Sequence, residues 1–112
     1  MIKIENELWK KALEKFVSRT QSLYGNQLEK IILYGSRARG DFDGESDFDL
    51  LIVLRELKDF WKEFHKIEEI SWEVSFQSNL VFSAIPASKK DLERSQLPIF
   101  LNIRKEGVEI SG

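Results

Sequence analysis

The sequence predicts an α+β fold in which helices pack against a small mixed sheet. Two long stretches carry apolar residues at helical spacing. Three short stretches, at about 28–34, 50–54 and 80–85, are nearly continuous apolar runs of the kind found in buried strands. The predicted elements follow one another in the order αββαβαα, with an optional last strand. The sequence has no repeat, low-complexity tract or linker, so residues 1–112 are expected to form one domain.

The first half of the chain supplies one long helix and two strands. Apolar side chains recur at helical spacing over about residues 6–24, and Gly25-Asn26 ends this helix. We expect its aromatic residues Trp9 and Phe16 to belong to the core. The run at 28–34 favours a strand that is buried on both faces.

A second long helix, over about residues 57–75, precedes the third strand. Its apolar stripe alternates with a charged face, and His65, the only histidine, is expected to face solvent there. A catalytic role for His65 would need a nucleophile at a matching spacing, and the sequence offers none. The third strand, at about 80–85, is expected to end at Pro86, because proline cannot donate a hydrogen bond to a strand ladder.

The last part of the chain predicts two short helices. The segment Ser88-Lys89-Lys90-Asp91 has the spacing of a capping box, with Asp in the usual place of Glu. Pro98 is expected to open the next helix and Gly107 to stop it. Residues 108–110 are the optional last strand.

Composition excludes several classes of function. The net charge of −2 gives no electrostatic reason to expect direct nucleic-acid binding. The absence of cysteine rules out a disulfide framework and a cysteine-based metal site. No apolar run reaches the length of a membrane span, and the N-terminus has no signal-peptide pattern. We therefore expect no membrane association and predict a cytoplasmic protein.

The stretch from Gly35 to Leu50 holds the residues that indicate chemistry. Gly35-Ser36 leaves the first strand where a short helix is expected to begin at Arg37, so unhindered backbone N–H groups could cradle phosphate oxygens. Asp47 and Asp49 are two residues apart, and on an extended chain both carboxylates project from one face. Adjacent carboxylates repel each other unless a cation lies between them, and such hard oxygen ligands suit Mg²⁺ carried by a nucleotide. The stretch therefore predicts a phosphate cradle facing a metal-binding carboxylate pair.

Two other interpretations of this stretch fail on single positions. Gly35 and Gly40 have the separation of a P-loop, but Asp41 and Phe42 stand where that loop needs Lys and Ser or Thr. A calcium loop that begins at Asp41 fails as well, because the positions that need Gly and a closing acid hold Ser and Ile. Three acidic residues are expected to be solvated loop charges: Asp41, Asp43 and Glu45.

The pattern of Gly-Ser, ten residues and Asp-x-Asp resembles the nucleotidyltransferase signature of the DNA polymerase beta superfamily. It is most similar to the minimal nucleotidyltransferase (MNT) domains that serve as antitoxins to HEPN-domain ribonucleases. The chain length, the order of elements and the apolar flanks fit such a minimal domain as well. The residues that match the family motif are Gly35, Ser36, Arg37, Ala38, Arg39, Gly40, Ser46, Asp47 and Asp49.

The resemblance implies a minimal nucleotidyltransferase fold and transfer of a nucleoside monophosphate from an NTP to an acceptor hydroxyl. It implies Mg²⁺ held by Asp47 and Asp49, and β- and γ-phosphates held by Gly35 and the Ser36 hydroxyl. The implied catalytic residues are Ser36, Asp47 and Asp49. The implied nucleotide-binding residues are Gly35, Ser36, Arg37, Arg39 and Ser46. Either arginine could add charge at the phosphates, or could face solvent or pair with Asp41 or Asp43.

Related MNT antitoxins add AMP from ATP to a tyrosine of the partner HEPN toxin, which blocks its ribonuclease activity. The resemblance therefore implies ATP as substrate, Mg²⁺ as cofactor, AMPylation as the activity and a hetero-oligomer with a HEPN toxin. Nothing in the sequence itself favours ATP over other nucleotides or tyrosine over other hydroxyls.

One position departs from the family pattern. Active members usually place a third carboxylate on the strand after the Asp-x-Asp strand, and residues 79–85 contain neither Asp nor Glu. Glu73 would reach the site only if the preceding helix ended early.

Two alternatives therefore stay open. One is a catalytically weak or inactive binding module that neutralises the toxin by complex formation. The other is a small-molecule nucleotidyltransferase, for which the chain has no acceptor-binding domain.

Overall fold

The computed structural model describes residues 7–41 and 47–111. Within them the chain forms five α-helices, one short 3-10 turn and four strands. In chain order these are α1 (Glu7–Tyr24), the 3-10 turn (Gly25–Gln27), β1 (Leu28–Tyr34), α2 (Ser36–Arg39), β2 (Phe48–Leu54), α3 (Phe60–Ser78), β3 (Phe82–Ser88), α4 (Lys89–Arg94), α5 (Pro98–Glu106) and β4 (Val108–Ser111). No helix in the described ranges is long and apolar enough to cross a membrane.

The strands form one mixed sheet in the order β3-β2-β1-β4. β1 is antiparallel to β2 and β4, whereas β2 and β3 run parallel. This arrangement confirms the predicted α+β class with a small mixed sheet. The predicted optional strand at 108–110 is present as β4, and the predicted limits of β1 are those observed.

Apolar side chains fill both faces of the sheet. On one face, α1 and α3 pack on alternate residues of β1 and β2, and Phe16 lies fully buried there with Trp9 packed at the margin. On the other face, Leu92 of α4 and Ile103 of α5 cover Leu51 and Val53 of β2. Because side chains alternate along a strand, Asp49 lies on the same face as Leu51 and Val53.

Helix limits follow from local capping. The α3 helix begins three residues later than predicted, because the Asp59 side chain accepts a hydrogen bond from the Lys62 N–H and caps it there. It continues to Ser78 and ends at Asn79, whose φ of 58° is left-handed. The predicted cap of α4 is confirmed, since the Ser88 side chain accepts from the Asp91 N–H. His65 lies on the exposed surface of α3, as predicted, with its ring 3.8 Å from the Glu68 carboxylate.

The prediction that the third strand ends at Pro86 is wrong. β3 runs through Pro86, which is paired with Ile52 of β2, and continues to Ser88. A proline is tolerated because β3 lies at the edge of the sheet, where one side of the strand has no neighbouring strand that needs an N–H donor.

Candidate active site

The backbone turns sharply at Gly35, where β1 ends and α2 begins. Gly35 has φ 74° and ψ −159°, a region that is essentially confined to glycine. Its carbonyl accepts hydrogen bonds from the N–H groups of Ala38 and Arg39, at 3.1 Å each. Gly40, at φ 88°, ends the four-residue helix. Ser36 therefore lies in the first turn, directly after the glycine corner.

Asp49 lies directly against this corner. The antiparallel register pairs Asp49 of β2 with Tyr34 of β1, the residue that precedes Gly35. A Cβ atom built on Gly35 would overlap the Asp49 Oδ2 atom. The glycine is therefore required for its backbone conformation and also for the space that the carboxylate occupies. The predicted proximity of the Gly-Ser corner and this acid is observed.

The two acids of the Asp-x-Asp motif face the same region. Asp47 Oδ2 accepts a hydrogen bond of 3.2 Å from the Ser83 hydroxyl on β3. Phe48, between them, points the other way and is buried in the core. Burial raises the pKa of Asp49 above its ordinary value, and the nearby Asp47 charge raises it further, while Arg39 acts in the opposite direction. A bound cation would relieve this repulsion.

Arg39 is held at the mouth of a small cavity. Its Nε atom lies 3.3 Å from Asp41 Oδ2 and its NH1 atom 3.2 Å from Glu106 Oε2, at the end of α5. The cavity of about 260 Å³ is bounded by Tyr34, Gly35, Arg39 and the α5 residues Ile99, Asn102, Ile103 and Glu106. A guanidinium in this position can contact an anionic group that enters beside Gly35.

Arg37 occupies a different environment from the one expected of a nucleotide ligand. Only 3% of its surface is exposed, and its guanidinium carbon lies 4.4 Å from the Trp9 ring centre and 4.3 Å from that of Phe48. Residues two apart on a helix point to nearly opposite sides, so α2 directs one arginine into the core and the other towards the cavity. We therefore assign Arg37 to packing and omit it from the proposed nucleotide site.

The candidate site residues other than Arg37 divide into three groups. The structure brings Gly35, Ser36, Arg39, Asp47 and Asp49 to one end of the sheet. Ser46, together with Asp43 and Glu45, lies outside the described residues. Glu73 pairs with Arg19 of α1 at 2.5 Å, on the opposite face of the sheet, so it does not supply the third carboxylate.

Residues that the sequence reasoning missed also line the site. Glu106 lies 67 positions from the arginine that it contacts, and Ser83 lies 36 positions from Asp47. No local pattern connects residues so far apart. Tyr34 could have been identified, because it directly precedes the Gly-Ser corner, and burial beside Asp49 raises its pKa to about 12.

The carboxylate pair fits a cation that arrives with its own oxygen ligands. The described residues contain no group of three or more His, Cys, Asp or Glu side chains that could hold a metal ion. The β3 residue that is paired with Asp49 is Ser83, so this strand contributes a hydroxyl at that position. Mg²⁺ is commonly bound through one or two protein carboxylates together with substrate phosphates. Two acids beside a glycine corner suit that arrangement.

Comparisons with known proteins agree with this geometry. Residues 13–104 match the family described as Nucleotidyltransferase domain. A Methanocaldococcus jannaschii protein, MJ0141, named as a candidate protein adenylyltransferase, is 33% identical over 98 residues, which are 88% of this chain and 94% of that protein.

Solved structures show the same fold at low sequence identity. A candidate nucleotidyltransferase from Sulfolobus solfataricus is 17% identical, with a TM-score of 0.62 over 97% of this chain and 90% of that one. A chain of a toxin–antitoxin complex crystallised with AMP-PNP is 15% identical, with a TM-score of 0.58 over 86% of this chain and 70% of that one. The match over residues 13–104 and the archaeal relative show that this chain belongs to the nucleotidyltransferase domain family.

Proposed function

We propose that this chain is an Mg²⁺-dependent adenylyltransferase that transfers AMP from ATP to a tyrosine hydroxyl of a partner HEPN ribonuclease, and so acts as its antitoxin. The observation that carries this proposal is the contact between the Gly35 corner and Asp49, with Asp47 on the same side of β2. The name of the M. jannaschii relative supports protein adenylylation. The fold shared with a chain of a toxin–antitoxin complex supports the antitoxin role.

The residues of the site have separate tasks in this mechanism. Asp47 and Asp49 would hold Mg²⁺, which neutralises phosphate charge and activates the attacking oxygen when it is bound. The Gly35 backbone and the Ser36 hydroxyl orient the β- and γ-phosphates that leave as pyrophosphate. Arg39 adds positive charge at the same end, once a phosphate competes with its carboxylate partners. Most of the rate enhancement then comes from positioning and charge neutralisation.

A protein acceptor is compatible with the fold of the described residues. The described residues form one sheet with its covering helices, and they include no second lobe that could hold a small acceptor molecule. We propose that a folded partner in a hetero-oligomer presents the acceptor hydroxyl. Because the proposed reaction uses ATP and a ribonuclease partner, we propose that it takes place in the cytoplasm.

One observation favours a second candidate function, in which the chain neutralises the toxin by binding alone. β3 offers Ser83, not an acid, at the position paired with Asp49. A site without a third carboxylate can bind a metal–nucleotide complex and still lack a general base. In that case the fold serves as a binding module and turnover is not needed.

Labelled nucleotide separates the two candidates. The parent protein is incubated with ATP labelled at its α-phosphate, Mg²⁺ and a candidate HEPN ribonuclease partner, and label on the ribonuclease is measured. We expect transfer that is lost on addition of EDTA and lost in the D47N/D49N double variant, whose circular dichroism shows a folded chain. A folded double variant that still neutralises the ribonuclease, together with no transfer by the parent, would favour the binding module.

A further inference from the structure

A second and larger cavity lies along the outer edge of the sheet, between α3 and β3. We call it the α3–β3 groove; it encloses about 440 Å³ and is lined by Phe64, Ser71 and Trp72 from α3 and by Val81, Ser83 and Ile85 from the β3 side, among others. Trp72 is 71% exposed and Val81 54% exposed. Large apolar side chains gathered at one exposed place on a small protein indicate a binding surface.

The groove is continuous with the candidate active site. Ser83 lines the groove, and its hydroxyl donates the 3.2 Å hydrogen bond to Asp47 Oδ2. The same residue is paired with Asp49 in the parallel register of β2 and β3. A molecule that fills the groove therefore reaches the two carboxylates at the Ser83 position.

A polar group inside the groove has no partner within the described part of the chain. Ser71 is only 7% exposed, lines the groove, and its Oγ atom makes no hydrogen bond there. Buried hydroxyl groups in folded proteins nearly always have a partner. The Oγ atom lies below the accessible surface of the groove, so an occupant would reach it only if the neighbouring side chains moved.

We propose that the α3–β3 groove docks the protein substrate and delivers its acceptor hydroxyl to Asp47 and Asp49. This inference rests on the proposed adenylyltransferase function. The occupant is a helical or loop segment of the partner protein with an apolar or aromatic side chain for Trp72 and a basic residue near Glu68. Glu68 is the charged residue among those that line the groove.

Two observations argue against an added strand as the occupant. Strand addition needs free N–H donors along the outer edge of β3. Pro86 has no N–H, and the Phe82 N–H already donates to the Ser75 hydroxyl at 3.0 Å. The edge is therefore poorly suited to strand pairing, and contact through side chains is favoured.

The tyrosines of the chain argue against a second copy as the acceptor. The sequence contains two, and neither is freely exposed. The Tyr24 hydroxyl donates to Glu63 Oε1 at 2.9 Å, and Tyr34 is half-buried on β1 beside Asp49. A second copy seated in the groove would have no exposed tyrosine to present.

The test compares two tryptophans of the same helix. Trp72→Glu places a charge in the groove, whereas Trp61→Glu changes a side chain that is 64% exposed and is not itself among the groove residues, and whose ring centre lies 5.6 Å from that of Phe64. The two positions are 11 residues apart, or about 16 Å along a helix. Each variant is measured for AMP transfer to the HEPN ribonuclease, for binding of that ribonuclease with the D47N/D49N changes added, and for ATP affinity.

We expect Trp72→Glu to lower transfer and binding of the ribonuclease at least about tenfold, because exposed tryptophans dominate many interfaces. ATP affinity should be unchanged, and Trp61→Glu should stay within about twofold of the parent. Equal ribonuclease binding by the two variants would overturn the docking site. A parent that binds the ribonuclease through Trp72 without modifying it would overturn the adenylyltransferase function and the delivery of a hydroxyl, and would leave the groove as the binding surface for the ribonuclease. A Trp72-dependent dimer of this chain, with no ribonuclease binding, would overturn both.

Discussion

The backbone at Gly35 has a conformation that other residues adopt only with strain, and its Cα faces the Asp49 carboxylate. These are separable constraints. The first is the backbone conformation at φ and ψ, which would strain any L-residue at this position. The second concerns space, and it is specific to the site because the neighbouring atom is the oxygen that is proposed to bind metal.

Gly25 provides a matched control for Gly35. Its φ of 53° is also positive, but a Cβ atom there would meet nothing within 4 Å. We expect Gly25→Ala to cost about 1 to 2 kcal/mol of unfolding free energy, through backbone strain alone, and to leave AMP transfer unchanged. Gly35→Ala should lose stability to a similar or greater extent and lower transfer at least a hundredfold, because Asp49 must move.

Urea unfolding and the rate of AMP transfer at saturating ATP test this pair. A Gly35→Ala protein with transfer within threefold of the parent would show that the contact with Asp49 has no role in the chemistry.

At the scale of elements, α2 carries one arginine on each side of a four-residue helix. Arg37 is buried between the rings of Trp9 and Phe48, which join α1 to β2, whereas Arg39 is paired with carboxylates beside the cavity. The same short helix therefore packs Arg37 into the core and places the positive charge of Arg39 beside the candidate site.

The two arginines should respond differently to replacement by alanine. We expect Arg37→Ala to lower the unfolding free energy by about 2 kcal/mol, because a desolvated cation–π contact and its packing are lost. We expect Arg39→Ala to change stability by less than about 1 kcal/mol, since exposed ion pairs contribute little, and to weaken ATP binding about tenfold.

Calorimetric ATP titration and urea unfolding provide the two measurements. Arg55→Ala is the control, because Arg55 is exposed and its Nε atom lies 3.5 Å from Glu29 Oε2. That variant should match the parent in ATP affinity and in unfolding free energy. Equal ATP affinity of the parent and Arg39→Ala would remove Arg39 from the proposed phosphate site.

The elements that the sequence predicted well are those fixed by neighbours in the chain. The limits of β1, the Ser88 cap and the limits of α5 (Pro98–Glu106) all depend on residues a few positions apart. The continuation of β3 through Pro86 depends on its place at the sheet edge, which is a property of the topology.

For the candidate site as well, the sequence predicts the features that depend on nearby residues and misses those that depend on distant ones. The proximity of Gly35 and Asp49 could be predicted, because a recognisable motif joins them across one strand pair. The separate roles of Arg37 and Arg39 could not, because Trp9 and Glu106, which decide them, lie far away in the sequence. Residues within one motif can have different tertiary environments.

At the scale of the whole molecule, the acids of the candidate site lower the stability of the folded chain. Apolar residues cover most of both sheet faces, but on the face of Leu51 and Val53 two acids lie where β2 begins, Asp47 just before the strand and Asp49 within it. Burial and the Asp47 charge both disfavour the ionised form of Asp49 and raise its pKa above 3.8. The folded protein therefore holds a charge that would be more stable in the unfolded chain.

This arrangement determines the sign of a pH effect on stability. Below the unfolded pKa, Asp49 is neutral in both states and its full contribution to stability is present. As the pH rises through the higher folded pKa, ionisation favours the unfolded chain and stability is lost. In metal-free buffer at pH 7 we expect Asp49→Asn to raise Tm by a few degrees, because partial exposure of this carboxylate to solvent limits the effect. The gain should vanish when the pH falls below 3.8, the ordinary value of this carboxyl.

Added metal–nucleotide should reverse this difference in Tm, so that the parent becomes more stable than Asp49→Asn. Mg²⁺ with a non-hydrolysable ATP analogue binds only the folded state, so it should raise the parent's Tm at pH 7 and leave that of Asp49→Asn nearly unchanged. Thermal unfolding of both proteins, with and without the metal–nucleotide and at the two pH values, makes the comparison. An Asp49→Asn variant that is less stable than the parent in metal-free buffer at pH 7 would contradict this prediction. It would show that the ionised Asp49 side chain stabilises the folded protein even without a bound cation.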